Sequence, residues 1–355
     1  MKRPIQVAGI SSNAKVVAFA IVVLIVIGGV LAYEVLQPPP HVTLTVYGSV
    51  TASDLQPTIN DFQGNYSYIT VNYVQLNPPP LYSRVTSEVA AHQATADLIF
   101  VTNVVVYQLQ SMGLLQSYNS SNLASYPKSY YDPGGDWADA LLLPTVFSYN
   151  TKSLNQSQLP QTLNQLANST WKNKMIMHDI TLGSTGTQYL VSLAPVLGNQ
   201  TWTSFAKQLV STANPTPTSQ VSDVSSEVAS GQYEIGMIAY LSDIVKLQSQ
   251  GAPIGYFLPQ GVPVMIAPES LAIIKGTPHL AAAQLFEDFI LSSKGQTTLG
   301  NTQTRPPAMP GITAKYTMEK MLPPALINSS IIFPTPAVAA SASSWAQTFK
   351  SWGYS

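Results

Sequence analysis

The sequence predicts an α/β fold in two domains behind an N-terminal membrane segment, and three observations support this prediction. Strand-like and helix-like patterns alternate between residues 42 and 101, which is typical of a largely parallel sheet. The chain has 355 residues, enough for two domains of ordinary size. An uncharged stretch from Val16 to Tyr33 is long enough to cross a membrane as a helix.

The N-terminal region divides into three parts. Residues 1–15 carry Lys2, Arg3 and Lys15, and such a basic flank places this side of the membrane helix in the cytoplasm. We predict a transmembrane helix over residues 16–33 and a stiff, proline-rich spacer over residues 34–40. The globular part then lies outside the cell, and the protein is a single-pass membrane protein.

Two alternatives to an uncleaved anchor stay open. One is a cleaved secretory signal, although such signals have shorter apolar regions that end at small residues. The other rests on a resemblance: residues 8–12 are similar to archaeal pilin-like signals, which are cut after a glycine equivalent to Gly9. That family usually has a basic residue before the glycine, whereas Ala8 stands here.

The composition excludes several classes of function. Only 9% of residues are charged and the net charge is −1, so nothing attracts the chain to nucleic acid. There is no cysteine, which excludes disulfides, Cys-zinc sites and thiol nucleophiles. A surface of Ser, Thr, Asn and Gln suits an extracytoplasmic protein in a hot or acidic medium, where carboxylates contribute little.

Strands and helices alternate after the spacer. The pattern predicts strands over 42–47, 68–74 and 96–101, with helices over 54–62, capped by Ser53, and 81–91. Further on it predicts a helix near 161–166, a strand over 234–239 and extended chain over 262–275. An apolar stripe of Ala281, Leu285, Phe286 and Phe289 then predicts a helix that begins after Pro278 and ends at Gly295.

The stretch from Gly255 to Gln296 also carries a resemblance. Its Pro-x-Gly turn, its strand Pro-Glu-Ser-Leu-Ala-Ile-Ile-Lys-Gly and its helix with Phe286-x-x-Phe289 occur in a recognisable order. In this order they resemble the extracellular solute-binding proteins of ABC importers, in the branch that contains ferric-iron, thiamine and phosphonate binders. The resemblance implies a type II, two-lobed periplasmic-binding-protein-like fold and an ABC permease as partner.

The resemblance also implies a division of the chain. Lobe 1 would comprise residues 41–149 together with about 256–300, and lobe 2 residues 150–255. The chain would cross between the lobes near Tyr149 and Gly255, which we predict as hinge residues. Residues 301–355 would form a C-terminal helical segment that packs across the lobes.

Three loops are candidates for binding a ligand. In doubly wound sheets, ligands bind beyond the carboxyl ends of strands, where loops run into helix N-termini. Such loops supply the hydroxyl and amide side chains that we predict to contact a small polar or anionic solute: Ser49, Thr51, Thr102, Asn103, Ser184, Thr185 and Thr187. The alternative that these loops are ordinary turns and helix caps stays open.

Tyr240 is a further candidate ligand-binding residue. It falls near the place where the iron-binding members of the family have two adjacent tyrosines, but here Leu241 follows. The four histidines have no metal-ligand spacing, so we predict neither a metal site nor a cofactor. The sequence has no Ser-His-Asp order and no nucleotide-phosphate loop, so we expect no enzymatic activity.

Asn-x-Ser/Thr sequons lie only beyond the predicted membrane helix, which agrees with an outward-facing and glycosylated surface. They are Asn65, Asn119, Asn155, Asn168, Asn199 and Asn328. The function predicted is therefore capture of a solute outside the cell for an ABC permease. The alternatives are a structural surface or filament protein that kept the fold without transport and, more remotely, an extracellular hydrolase.

Overall fold

The computed structural model describes residues 40–93, 95–302, 304–322, 326 and 331–354. The predicted membrane helix, its basic flank and nearly all of the spacer lie outside these residues, as does the sequon at Asn328. Among the described residues, no helix is both long and apolar enough to cross a membrane. The fold below is that of the compact unit Val42–Ser355.

The described residues of this unit form eleven strands. They are β1 Val42–Gly48, β2 Ile69–Gln75, β3 Leu98–Thr102, β4 Leu115–Gln116, β5 Ala138–Asn150, β6 Met175–His178, β7 Thr216–Thr218, β8 Ile235–Tyr240, β9 Ile254–Phe257, β10 Val264–Ile274 and β11 Ile331–Ile332.

The described helices are numbered in chain order. They are α1 Ala52–Asn65, α2 Pro78–Ala90, α3 Asn103–Ser111, α4 Leu163–Leu166, α5 Thr185–Ser192, α6 Ala194–Leu197, α7 Asn199–Gln208, α8 Val221–Ser230, α9 Leu241–Ser249, α10 Leu280–Leu291, α11 Ser293–Thr302, α12 Met318–Met321 and α13 Pro336–Ser351.

All eleven strands belong to one sheet, in the order β2-β1-β3-β10-β5-β8-β6-β7, with β4 and β11 beside β10 and β9 beside β5. We call β2, β1 and β3 with α1 to α3 the first half, and β8, β6 and β7 with α5, α8 and α9 the second half. Strands within each half are parallel. The two halves are joined through β10 and β5, which are antiparallel to each other, with β10 antiparallel to β3 and β5 antiparallel to β8.

The prediction of an α/β fold is confirmed, and a parallel sheet is found within each half. The parallel arrangement predicted from residues 42–101 does not extend to the centre of the sheet, where β5 and β10 run antiparallel. The two central strands are buried almost throughout, and a strand that is buried on both faces has a continuous apolar sequence with no alternation. Such a sequence marks a strand but does not encode its direction.

Alternate residues of β3 build two separate cores. Leu98 and Phe100 belong to the larger hydrophobic cluster, whereas Ile99 and Val101 belong to the smaller one. Successive side chains of a strand point to opposite faces of the sheet, so the sheet has an apolar core on each side. The ends of its strands are therefore held rigidly by packing from above and below.

Two helix predictions differ in detail from the structure. The first helix begins at Ala52 with Thr51 as its N-cap, so Ser53 is not the cap. The helix after Pro278 ends at Leu291, and Gly295 lies inside the next helix, α11. A side chain at Gly295 would overlap the backbone of Phe289, so this glycine permits α11 to fold back tightly against α10.

The apolar stripe of that helix is confirmed in its centre and displaced at its start. Phe286 and Phe289 are buried and pack against Phe62 of α1, with ring centroids 5.1 and 5.6 Å away. Ala281 is exposed, and the next two alanines are buried in its place. The buried face also takes in Glu287, an acidic residue that the apolar stripe does not predict.

The last helix, α13, contacts helices of both halves. It lies against α3 of the first half and α5 of the second. Trp345 on this helix meets Trp202 of α7 edge to face at 4.7 Å between ring centroids, a geometry that aromatic pairs favour.

Candidate functional site: a polar cleft

A cleft of about 380 Å³ lies among the loops that leave the carboxyl ends of the strands. Its walls come from both halves: Ser49, Thr51 and Thr102 from the first, and Ser184 and Tyr240 from the second. The central strand β10 and the loop after α11 complete it with Glu269 and Arg305. This volume fits a small solute.

Six helices begin at the cleft, and each contributes its N-cap residue to the lining. They are Thr51 of α1, Asn77 of α2, Thr102 of α3, Ser184 of α5, Gln220 of α8 and Tyr240 of α9. In this described part of the chain, none of the six N-cap side chains accepts a hydrogen bond from its own helix.

Two α-helices that begin away from the cleft are capped by their own side chains, whereas others, such as α10 and α12, are not. The N-cap side chains of α4 and α13, Thr162 and Thr335, accept hydrogen bonds from backbone N–H groups of the first turn. Capping of this kind is worth about 1 kcal/mol. At the cleft, polar cap side chains that do not bond their own helix are available to a ligand, and the positive ends of the helix dipoles favour an anion. Two backbone donors are already taken, because the Ala52 N–H donates to Gln75 and the Gly186 N–H to His178.

Two hydroxyl groups of the cleft have no hydrogen-bond partner among the described residues. Thr102 is 4% exposed and Ser184 is 7% exposed, and the side-chain oxygen of each is unpaired. A buried hydroxyl without a partner costs about 1–3 kcal/mol. A ligand that bonded both groups would recover this cost, and one group comes from each half.

Thr185 and Tyr240 lie together in the second half. Their hydroxyl oxygens are 3.3 Å apart, and both residues are buried at the cleft wall. Burial raises the pKa of Tyr240 well above its ordinary value, so the phenol keeps its proton at neutral pH. Tyr240 therefore offers a neutral hydroxyl to the cleft.

His178 fixes the start of α5. Its Nδ1 accepts a hydrogen bond of 3.0 Å from the Gly186 N–H. Burial lowers the pKa of His178 to about 4, so the ring is neutral and can accept this bond at neutral pH. A side chain at position 186 would come within 2.6 Å of the His178 carbonyl oxygen. Only glycine allows this close approach.

A buried ion pair lies at the centre of the cleft. Both carboxylate oxygens of Glu269 accept hydrogen bonds of 2.6 Å from Arg305 Nη1, and Oε1 also accepts one of 3.1 Å from Ser49. The side chain of Glu269 is 2% exposed and that of Arg305 is 15% exposed. The two charges largely neutralise each other, so this pair gives the cleft polarity without a large net charge.

Asp243, in the first turn of α9, is the second acidic residue that lines the cleft, and it belongs to the second half. Within the described chain, no donor lies within hydrogen-bond distance of its carboxylate. Burial raises its pKa, while the charges of Arg305 and Lys246 act in the opposite direction. Lys246 itself lies 3.8 Å from Asp54 of α1, so this partly exposed ion pair links the two halves at the mouth of the cleft.

Ile238 has an unusual backbone conformation next to the cleft. Its φ is +65°, in the left-handed region that β-branched residues avoid. The register of β5 against β8 shifts at the same place, between Val146 and Ser148. Such irregularities bend a strand and redirect its end, and here that end is Tyr240.

The structure brings together six of the eight residues that we predicted for ligand binding. Ser49, Thr51, Thr102, Ser184, Thr185 and Tyr240 line the same cleft. The remaining two, Asn103 and Thr187, are buried next to it and do not line it. The Asn103 amide lies 3.4 Å from the Tyr107 hydroxyl, and the Thr187 hydroxyl donates to the Ile180 carbonyl at 2.8 Å.

Four charged residues of the cleft were not predicted from the sequence: Asp243, Lys246, Glu269 and Arg305. For Glu269 there was a signal: it is an acidic residue in the middle of an apolar strand, in a chain with only 17 acidic residues. Such a residue is buried and needs a partner. The sequence gives no comparable signal that Arg305, 36 positions later, is that partner.

The described residues contain no group of three or more His, Asp or Glu side chains that could hold a metal ion. The predicted hinge residues, Tyr149 and Gly255, are cross-strand partners on β5 and β9. The described sequons are all exposed: Asn65, Asn119, Asn155, Asn168 and Asn199.

Comparisons with known proteins agree with this geometry. The sequence profile described as "Bacterial extracellular solute-binding protein" matches residues 93–328. An uncharacterised protein of Haemophilus influenzae is 22% identical over 262 residues, covering 71% of this chain and 74% of that protein.

Two solved structures have a similar fold. Iron-bound HitA from Pseudomonas aeruginosa superimposes with a TM-score of 0.74 at 20% identity, covering 88% of this chain and 99% of that one. The periplasmic binding protein AfuA from Actinobacillus pleuropneumoniae, with fructose-6-phosphate bound, gives 0.73 at 21% identity, covering 88% and 97%.

Proposed function

Because this chain belongs to the family of bacterial extracellular solute-binding proteins, we propose that it captures a small polar or anionic solute and delivers it to an ABC permease. One observation carries the proposal for the site. Six helices start at one cleft, and their N-cap side chains leave their own helices uncapped. An anionic or strongly hydrogen-bonding solute supplies what these groups lack.

Capture would work by closure of two lobes. Lobe 1 would comprise residues 41–149 with about 256–300, and lobe 2 residues 150–255. A ligand that bonds Thr102 of the first half and Ser184 of the second makes both contacts only when the lobes are together. Its binding therefore shifts the population toward the closed form, which the permease would recognise.

The two crossings between the lobes would provide the hinge. Thr145 of β5 pairs with β10 on one side and with β8 on the other, so the strand passes from one half to the other there. Tyr149 and Gly255 follow on the lobe 2 side and stay predicted hinge residues. A side chain at Gly255 would come within 2.5 Å of the Tyr149 ring, so this crossing tolerates no larger residue.

The ligand class follows from the charges and donors of the cleft. Tyr240 has no second tyrosine beside it, and Glu269 is already occupied by Arg305. Free ferric iron, a hard cation that needs several oxygen ligands, therefore fits these residues poorly. Neutral hydroxyls and helix N-termini fit an oxyanion or a hydroxyl-rich solute better.

The location proposed is the outer face of the cell membrane. Residues 16–33 would anchor the chain and residues 34–40 would hold the globular part away from the lipid. The exposed sequons are compatible with glycosylation. A mass equal to that of the unmodified polypeptide, measured on native material, would contradict glycosylation without affecting the binding function.

A thermal-unfolding screen of the purified full chain tests the function. Its panel comprises phosphate, phosphonates, sulfonates, sugar phosphates, thiamine, sugars, amino acids and ferric complexes. A specific ligand at 100 times its Kd adds about 2.7 kcal/mol to the free energy of unfolding. The Ser184→Ala variant should lose most of that gain, whereas Ser344→Ala, at an exposed position on α13, should keep it.

Failure of every compound to stabilise a folded chain would contradict the proposal. It would instead favour the structural surface protein, which would keep the fold and bind no solute.

A further inference from the structure

We propose that the solute is an anion that also carries hydroxyl or ammonium donors, and that Asp243 selects it over a bare oxyanion. This inference rests on the proposed function and concerns the same cleft. It starts from the observation that the cleft has unsatisfied groups of two opposite kinds.

The first kind would hold the anionic group. Thr102 and Ser184 are each at least nine-tenths buried, line the cleft and have unpaired hydroxyl oxygens. Each also stands at the N-terminus of a helix, α3 and α5 respectively, and neither side chain caps its own helix, although the Gly186 N–H of α5 already donates to His178. Hydroxyl donors beside helix N-termini complement an oxyanion.

The second kind is an acceptor. Both oxygens of Glu269 are taken by Arg305, and one also by Ser49. The Asp243 carboxylate, which lines the same cleft, accepts no hydrogen bond from any described residue. It is thus the acidic group of the cleft that is available to a donor on the ligand.

An unpaired carboxylate discriminates between ligands by charge. It repels a fully deprotonated ion such as sulfate, which presents only negative oxygens and no hydrogen-bond donor. It attracts a ligand that turns a hydroxyl or an ammonium group toward it, since hydrogen bonds to charged groups are stronger than neutral ones. Asp243 therefore strengthens the binding of anions that carry a donor and weakens the binding of oxyanions that carry none.

The neighbours of Asp243 do not remove this effect. Lys246 is engaged with Asp54 at the mouth of the cleft, at 3.8 Å. Arg305 donates to Glu269 through Nη1 at 2.6 Å. Both cations reduce the local negative potential without bonding to Asp243, so its oxygens stay open to the cleft.

The test compares three probes on the purified full chain: sulfate, which has no hydrogen-bond donor, glucose 6-phosphate and 2-aminoethylphosphonate. Titration calorimetry gives the Kd of each for wild type, Asp243→Asn and Ser184→Ala. The asparagine variant has nearly the same shape but no charge, and thermal unfolding verifies that each variant is folded.

In the wild type, at least one donor-bearing probe should bind about tenfold or more tightly than sulfate, as one charge-assisted hydrogen bond implies. Asp243→Asn should reduce that ratio to about threefold or less by weakening the donor-bearing probe and strengthening sulfate. A larger loss for the aminophosphonate than for the sugar phosphate would identify an ammonium donor, and the reverse a hydroxyl. Ser184→Ala should weaken all anions by a similar factor.

Sulfate binding as tightly as both other probes to the wild type would overturn the inference and leave the proposed function intact. The same holds if Asp243→Asn changes every Kd by one common factor. If no anion binds but another solute of the screening panel does, the inference fails and the function survives. If no compound of the screening panel binds, both the inference and the proposed function are contradicted.

Discussion

Removal of Arg305 should destabilise the protein, because it leaves Glu269 buried without its charged partner. The Glu269 side chain is 2% exposed and receives two hydrogen bonds of 2.6 Å from Arg305. Loss of one partner of a buried ion pair costs about 3–5 kcal/mol. Since Glu269 lines the cleft and keeps its bond from Ser49, water can fill the vacated space. We therefore expect Arg305→Ala to cost about 3 kcal/mol, the lower end of that range.

The assay is urea unfolding followed by tryptophan fluorescence, because the chain has 5 tryptophans. Arg305→Ala should lower the midpoint with little change in slope. The double variant Arg305→Met with Glu269→Leu removes both charges and should recover to within about 1 kcal/mol of wild type, since apolar replacement of a buried pair is often neutral. A single variant within 0.5 kcal/mol of wild type, roughly the scatter of additive effects, would refute the reasoning. So would a double variant that is no more stable than the single one.

Three further predictions concern the core and the helix at the cleft. Burial raises the pKa of Glu287 to about 8, so the folded chain keeps a proton that the unfolded chain releases near pH 4.5. The free energy of unfolding should therefore fall as the pH rises from about 4.5 to about 8. Glu287→Gln should flatten that fall, with a gain of up to about 4 kcal/mol at pH 8 and little change at pH 4 in chemical denaturation; an unchanged pH profile would contradict it. Gly186→Ala should weaken ligand binding at least tenfold by displacing the start of α5, whereas Gly64→Ala, where nothing lies within 4 Å, should bind normally. Trp202→Ala should lower the free energy of unfolding by about 3–5 kcal/mol in urea, because Trp202 is a large buried side chain that packs against Trp345 of α13. A loss below 1 kcal/mol would contradict a stabilising role for this contact.

The elements of each half could be predicted because their information is local. Strands such as Val42–Gly48 and Ile69–Gln75 are marked by β-branched residues and bounded by polar loops, and the structure places them within two residues of the prediction. The polar loops after them could be assigned to a site by one topological rule, that strand ends share an edge. This rule led to Ser49, Thr51, Thr102, Ser184 and Thr185. It did not lead to three further serines that line the cleft, Ser219, Ser222 and Ser226.

The charged centre of the cleft could not be predicted in the same way. Glu269 lies within an antiparallel strand and Arg305 in a loop after α11, so neither follows a parallel strand end. Their contact depends on how distant segments meet in three dimensions. Asp243 looks like an ordinary acidic residue in the first turn of a helix, and only the structure shows that it lines the cleft.

Closure of the cleft around a solute is the central claim, and a distance measurement between the two halves tests it most directly. The chain has no cysteine, so spin labels can be attached at Asn60→Cys on α1 and Ser249→Cys on α9, both at exposed positions. Pulsed electron paramagnetic resonance then gives the distance distribution with and without the most stabilising solute. The account predicts a shorter and narrower distribution when the solute is bound. An unchanged distribution at saturation, with binding verified by calorimetry, would contradict it.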